Sequence, residues 1–205
     1  FWIVKTDQNG IMQWNKTYGG FYADIAYSIQ QTNDGGYIVC GYTSSFGAGY
    51  EDFWLLKLNS SGNVVLNKTY GGENSEYAYF VQQTSDNGYI LAGSTYSSGT
   101  EFDMWLVKTD SSGNMQWNKT YGGSLDEEAY AVRQTNDGEY IIAGTTYSFG
   151  PSWDPDFWLI KLLGLHDITI QNVAPHKTIV GKGYPIFINV TIKNWGMHET
   201  FNVTV

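Results

Sequence analysis

Six asparagines begin Asn-x-Ser/Thr triplets: Asn15, Asn59, Asn67, Asn118, Asn189 and Asn202. In an exported protein such a triplet takes a glycan on the side-chain nitrogen. Three of them, Asn15, Asn67 and Asn118, share the wording Asn-Lys-Thr. Two carboxylate series also recur: Asp24, Glu76 and Glu127, and Asp52, Asp103 and Asp156. Acid–base catalysis needs two carboxyls in unlike environments within one cleft. Carboxylates returning at equivalent positions suit a structural task instead, accepting backbone N–H groups where each unit begins. His166, His176 and His198 lack the close spacing of a zinc site. No Asp-x-Asp-x-Asp-Gly calcium loop, Gly-x-Ser-x-Gly elbow or Gly-rich phosphate loop is present. No catalytic residue, metal ligand or cofactor is therefore assigned. Cys40 is the single cysteine and makes no internal disulfide. The aromatics Phe46, Tyr50, Tyr96, Phe149 and Trp153 fall in segments of variable length. They are candidates for stacking on sugars or docking a partner.

These residues are positioned by an internal repeat. Trp2, Trp54, Trp105 and Trp158 are separated by 52, 51 and 53 residues. Gln13-Trp14-Asn15-Lys16-Thr17-Tyr18-Gly19-Gly20 returns unchanged as Gln116 to Gly123, and with two substitutions as Val65 to Gly72. Gln31 to Ile38 returns as Gln83 to Ile90 and as Gln134 to Ile141. Each copy holds four strand-like stretches; in the second they are Glu76–Thr84, Tyr89–Thr95, Asp103–Thr109 and Met115–Tyr121. Ser85-Asp86-Asn87-Gly88 is expected to turn with positive φ at both Asn87 and Gly88. Four antiparallel strands per unit of this length describe a propeller blade. Stacking buries both faces, so Trp54 and Leu56 should face one neighbour, Phe53 and Leu55 the other. Cys40 aligns with Ala92 and Ala143, which marks it as a small buried filler.

Composition narrows the classes. Aromatics make up 17% and charged residues only 15%, the reverse of a disordered chain. The net charge of −9 argues against a nucleic-acid partner. No apolar run is long enough to span a membrane. The chain begins at Phe1, so it is expected to be a mature product or part of something longer.

Asp34-Gly35-Gly36-Tyr37-Ile38-Val39-Cys40-Gly41, Asp52-Phe53-Trp54 and the outer Trp14 or Trp117 resemble kelch-type and PQQ-type propeller blades. The wording is nearer to repeat propellers of archaeal and bacterial surface proteins. The likeness covers about residues 1–163 and implies partial blade 1–20, blades 21–72 and 73–123, and partial blade 124–163. The kelch double Gly is reduced to single Gly41, Gly93 and Gly144, and no catalytic residue of PQQ-dependent dehydrogenases has a counterpart. Such a set does not close a ring, which takes four to eight blades. Beyond it, Asp167-Ile168-Thr169-Ile170, Val180-Gly181-Lys182-Gly183 and Ile188 to Gly196 resemble the opening of a CARDB-type immunoglobulin-like sandwich. That implies an incomplete second domain over 165–205.

The fold expected is thus all-β: four-stranded antiparallel propeller blades plus a partial immunoglobulin-like β-sandwich. The function expected is that of a non-enzymatic extracellular structural or adhesion protein that builds a layer or fibre with copies of itself or other surface proteins. A carbohydrate-binding module is the alternative, as is a fragment of a propeller enzyme with its active site elsewhere.

Overall fold

A computed structural model describes residues 1–96, 101–150 and 154–162, together with the backbone of three later strands. The chain divides into two compact units, Phe1–Leu162 and Leu163–Val205. In the first unit the strands are β1 (Trp2–Thr6), β2 (Met12–Thr17), β3 (Asp24–Gln31), β4 (Tyr37–Thr43), β5 (Asp52–Leu58), β6 (Val64–Tyr70) and β7 (Glu76–Gln83). They continue as β8 (Tyr89–Thr95), β9 (Asp103–Thr109), β10 (Met115–Tyr121), β11 (Glu127–Gln134), β12 (Tyr140–Thr146) and β13 (Asp156–Leu162). The described residues contain no helix, and so none long and apolar enough to cross a membrane.

Strands pair with their chain neighbours, always antiparallel. Two sheets have four strands, β3-β4-β5-β6 and β7-β8-β9-β10; β1-β2 and β11-β12-β13 are shorter versions of the same order. This is a repeat of open, blade-like sheets with no closed barrel. The strands form where Tyr, Thr, Val, Ile and Trp alternate between faces. Phe53 and Leu55 pack with Ala78 and Val81 of the following sheet. Trp54 and Leu56 pack with Phe1 and Ile3 of the preceding one. Neighbouring residues of one strand therefore serve opposite seams, as alternation requires.

Each first strand carries a bulge. Register slips between Ala26 and Ser28, Ala78 and Phe80, and Ala129 and Ala131. Tyr27, Tyr79 and Tyr130 are left without a cross-strand partner. The bend drives a first-strand carbonyl against the second strand, where only Gly fits. A Cβ on Gly93 would overlap the Tyr77 carbonyl oxygen and lie 2.8 Å from Phe53 Cζ. Gly41 and Gly144 meet the same obstacle at Ile25 and Glu128.

The turn after β7 departs from the two-residue hairpin expected of Asp86-Asn87-Gly88. Only Asn87 has positive φ, at 64°, matching Gly35 at 77° and Gly138 at 84°. The Thr84 N–H bonds to the Gly88 carbonyl at 2.9 Å, so the loop is longer than two residues. Gly88 is needed for space, because a Cβ there would sit 2.7 Å from Lys108 Nζ and overlap the Thr109 carbonyl.

Side chains latch the sheets together. Gln30 Oε1 accepts the Gln83 N–H at 2.8 Å, and Gln83 Oε1 accepts the Asn33 N–H at 2.9 Å. The next seam repeats this with Gln82, Gln134 and Ser85. The Tyr18 and Tyr70 hydroxyls donate to the Gly62 and Gly113 carbonyls of the following sheet at 2.6 and 2.8 Å.

The outermost faces stay exposed. Val81 and Val132 are buried at seams, whereas their counterpart Ile29 is 52% exposed. Phe53 and Leu55 are fully buried, whereas Phe157 and Leu159 are 75% and 58% exposed.

The second unit holds β14 (Thr169–Pro175), β15 (Phe187–Asn194) and β16 (Met197–Thr204), one antiparallel sheet in that order.

Candidate functional site

The three Asn-Lys-Thr triplets lie on β2, β6 and β10, the last strand of each of the first three sheets. Asn15, Asn67 and Asn118 are all exposed. Trp54 Nε1 donates to Asn67 Oδ1 at 2.7 Å, and Trp105 Nε1 donates to Asn118 Oδ1 at 3.4 Å. An indole N–H only donates, so the amide oxygen faces the tryptophan and the amide nitrogen turns away. Asn15 and Asn118 also place Nδ2 within 3.2 and 3.3 Å of Met12 and Met115 Sδ. Asn59 is different. Its Oδ1 accepts the N–H groups of Ser61 and Asn63 at 3.0 and 2.9 Å, an Asx turn. Asp110 makes the same turn after β9. Asn189 and Asn202 are register partners on β15 and β16, and their side chains lie outside the described residues.

The recurrent carboxylates take up the donors at the start of each sheet. Asp24 accepts the Gly20 N–H and the Ser45 hydroxyl, both at 2.8 Å, and the Thr43 hydroxyl. Glu76 accepts the Gly72 N–H at 2.9 Å and the Thr95 hydroxyl at 3.0 Å. Glu127 accepts the Gly123 N–H and the Thr146 hydroxyl, both at 2.7 Å. The second series joins the first across seams. Asp52 and Glu76 both border the space a Gly71 side chain would need, and Asp103 and Glu127 border that of Gly122. Asp52 accepts the Ala48 and Gly49 N–H groups at 3.1 and 3.3 Å. Burial pushes its carboxyl above the usual range against the pull of those N–H groups, with the Glu76 and Glu51 charges adding to the rise. Among the described residues, no group of three His, Cys, Asp or Glu side chains is placed to hold a metal ion.

The loop aromatics mostly rest on the scaffold. Phe46 and Phe149 pack on Trp54 and Trp158 with ring centroids 5.5 and 5.4 Å apart, and Tyr96 packs on Phe102 at 5.1 Å. Tyr50 is 73% exposed and makes no such ring contact among the described residues. Trp153 lies outside the described residues. Cys40 is buried, and burial raises its thiol pKa strongly.

Sequence reasoning missed two features. The bulge tyrosines form a row across three sheets: Tyr27 and Tyr79 are 5.3 Å apart, Tyr79 and Tyr130 5.4 Å. Tyr79 donates to Glu128 Oε1 at 3.1 Å, and Tyr130 bonds the other oxygen. Burial, then the bond to Glu128 and its charge, push the Tyr130 hydroxyl up to about 12. A Tyr returning at one repeat position was the available signal. The second feature is a lysine paired with a hairpin carboxylate in each copy, buried in the first two. Lys57 Nζ lies 2.8 Å from Asp34 Oδ2, and Lys108 Nζ lies 2.7 Å from Asp86 Oδ2. In the third copy Glu139 replaces the glycine, and Lys161 pairs with it at 2.6 Å and is exposed. Neither a protein-family model nor a curated protein sequence matches the chain.

Proposed function

We propose that this chain is a non-enzymatic extracellular structural or adhesion protein. Its repeat belongs with the kelch- and PQQ-like propeller blades of archaeal and bacterial surface proteins, and its second unit opens a CARDB-type sandwich. One observation carries this reading. The carboxylates that open each sheet and the glutamines at the seams are engaged in holding the scaffold, while Ile29, Phe157 and Leu159 leave exposed apolar faces. Asp24, Glu76 and Glu127 cap backbone donors, and the paired glutamines lock the seams. Residues equivalent to those on the exposed faces make the internal seams, so these faces have the chemistry to take a further sheet of the same kind, and in the proposed layer or fibre another copy of the chain supplies it. Head-to-tail contacts between unlike faces build open assemblies unless the rotation closes a ring. Burying one Phe or Leu side chain contributes about 1.5–3 kcal/mol, enough for two such residues to govern association. Sedimentation of the chain tests this. The expected result is concentration-dependent assembly, abolished in a Phe157→Glu, Leu159→Glu variant. A chain that stays monomeric at every concentration overturns it.

A second reading, sugar binding, is favoured by the Tyr27, Tyr79, Tyr130 row with Glu128 beside it. Tyr27 and Tyr130 are exposed, and aromatic rings beside a carboxylate acceptor suit carbohydrate C–H faces and hydroxyls. A glycan array hit lost on Tyr130→Ala and retained on Trp153→Ala would place binding on that row rather than in the loops.

A further inference from the structure

We infer that Asn67 and Asn118, and by repetition Asn15, are acceptors for N-linked glycans, and that Asn59 is not. The inference rests on the extracellular reading for access to a glycan donor.

The outer-strand motif supplies the argument. Its tyrosine reaches the next sheet's turn, as Tyr18 and Tyr70 do. Its lysine reaches the same turn, Lys16 to Asn63 Oδ1 at 2.7 Å and Lys68 to Asn114 Oδ1 at 3.4 Å. Its tryptophan packs against the following hairpin tyrosine, Trp14 with Tyr37 and Trp117 with Tyr140. Its asparagine accepts the indole N–H in the two complete sheets. The threonine two residues on is left over. Thr17, Thr69 and Thr120 lie opposite Trp2, Trp54 and Trp105, and their hydroxyls make no hydrogen bond among the described residues. An indole acceptor needs the asparagine and gives no reason for a hydroxyl two residues later, whereas glycan transfer needs both.

The geometry fits the product. The indole holds Oδ1 and leaves Nδ2 directed away, so a sugar on nitrogen preserves the Trp–Asn bond. β6 and β10 end their sheets, and a glycan there covers an edge whose unpaired backbone groups invite further strands. In the transfer, Nδ2 loses one proton to a base of the transferase and forms a bond to the sugar's anomeric carbon. The bond from that carbon to a lipid-linked phosphate or pyrophosphate breaks, and the lipid phosphate leaves. At Asn59 the amide oxygen is tied into a turn that Asp110 makes equally well, so that triplet follows from turn chemistry.

The test sends the full chain, behind an added secretion signal, through a eukaryotic secretory pathway. Asparagine-linked sugar is then released enzymatically in heavy-oxygen water, which tags each formerly glycosylated asparagine. The expected tags fall on Asn67, Asn118 and Asn15. Untagged Asn67 and Asn118, or a tag confined to Asn59, overturn the inference. Thr69→Val should erase the tag at Asn67 alone with tryptophan emission unchanged; a tag that persists also overturns it. Protein isolated from its own cells is mapped in parallel. Bare asparagines there, with tags in the secreting host, would sink the extracellular reading and leave the acceptor geometry standing.

Discussion

Asp86→Asn should destabilise the protein more than Lys108→Met, although both remove the same ion pair. Lys108 carries its charge on a side chain only 4% exposed, whereas Asp86 is 50% exposed. The ammonium has an acceptor for each of its protons: Asp86 Oδ2 at 2.7 Å, the Thr109 carbonyl at 2.8 Å and Gln116 Oε1 at 3.0 Å. Neutralising Asp86 leaves a buried cation with two neutral acceptors. Removing Lys108 leaves a carboxylate that water already reaches. Breaking a fully buried pair costs about 3–5 kcal/mol and an exposed pair about 0–1 kcal/mol. With one partner buried and the other half exposed, Asp86→Asn should cost about 2–3 kcal/mol. Lys108→Met fills the same space with an apolar chain and should cost about 1 kcal/mol. The double variant should match Lys108→Met, because the stranded charge is gone. Urea denaturation followed by tryptophan fluorescence measures all four proteins. The pH dependence carries the same logic. Burial works to raise the Asp86 pKa, but bonds from Lys108, Thr84 and the Gly88 N–H outweigh it and hold it below the usual value. A depressed carboxyl stabilises the fold above its unfolded pKa, about 3.9, and loses that contribution as pH falls through the folded value. Asp86→Asn should flatten this acid limb. The reasoning fails if Asp86→Asn lies within about 0.5 kcal/mol of wild type, the range of ordinary surface changes. It fails equally if Lys108→Met is the more damaging substitution.

Two further outcomes separate the roles of particular residues. Gly93→Ala must displace the Tyr77 backbone and should cost about 3 kcal/mol, the upper range for overpacking. Gly35→Ala meets open space and only a positive φ of 77°, and should cost about 1 kcal/mol; thermal melts in the reverse order would refute the steric account. Cys40 should react with a thiol reagent only as fast as its sheet opens, since burial keeps the thiol protonated and covered. Rapid labelling under native conditions would show that the seam around Ala78 and Val81 is not closed.

Much of the scaffold was legible because each copy faces the same packing problem. The strand stretches read in the second copy coincide with β7 to β10 except that β7 ends at Gln83. The opposite facing of Phe53 and Trp54 follows from alternation alone. The bulge left a fainter mark. Its extra residue changes no composition, and only the glycine opposite, Gly93, betrays the carbonyl that presses on it. The turn at Asn87 was misread because Asn-Gly permits two positive φ values without requiring them, and Gly88 is there to admit Thr109 and Lys108. Proximity across seams was hidden as well. Asp52 and Glu76 lie far apart within the repeat, and meet because the third strand of one sheet abuts the first of the next. The packing of the loop aromatics was hidden too: Phe46 and Phe149 each cap a tryptophan of the adjoining third strand, a contact that the variable length of their loops does not announce.

Repetition also alters how each candidate residue must be weighed. Three copies of one motif are a single observation when every letter serves the fold. Asn-Lys-Thr gains weight only because the structure accounts for its asparagine and lysine and gives its threonine hydroxyl no hydrogen bond among the described residues. The tyrosine row runs the other way. Tyr27, Tyr79 and Tyr130 occupy a bulge that the fold requires, yet a bulge needs no aromatic ring. Glu128 sharpens this contrast, for Ile25 and Tyr77 stand at its position in the other copies. Its carboxylate binds both Tyr79 and Tyr130. Tyr27 and Tyr79 lie as close as Tyr79 and Tyr130 without such a carboxylate, so the bulge sets the row and Glu128 adds hydrogen bonds to one end of it.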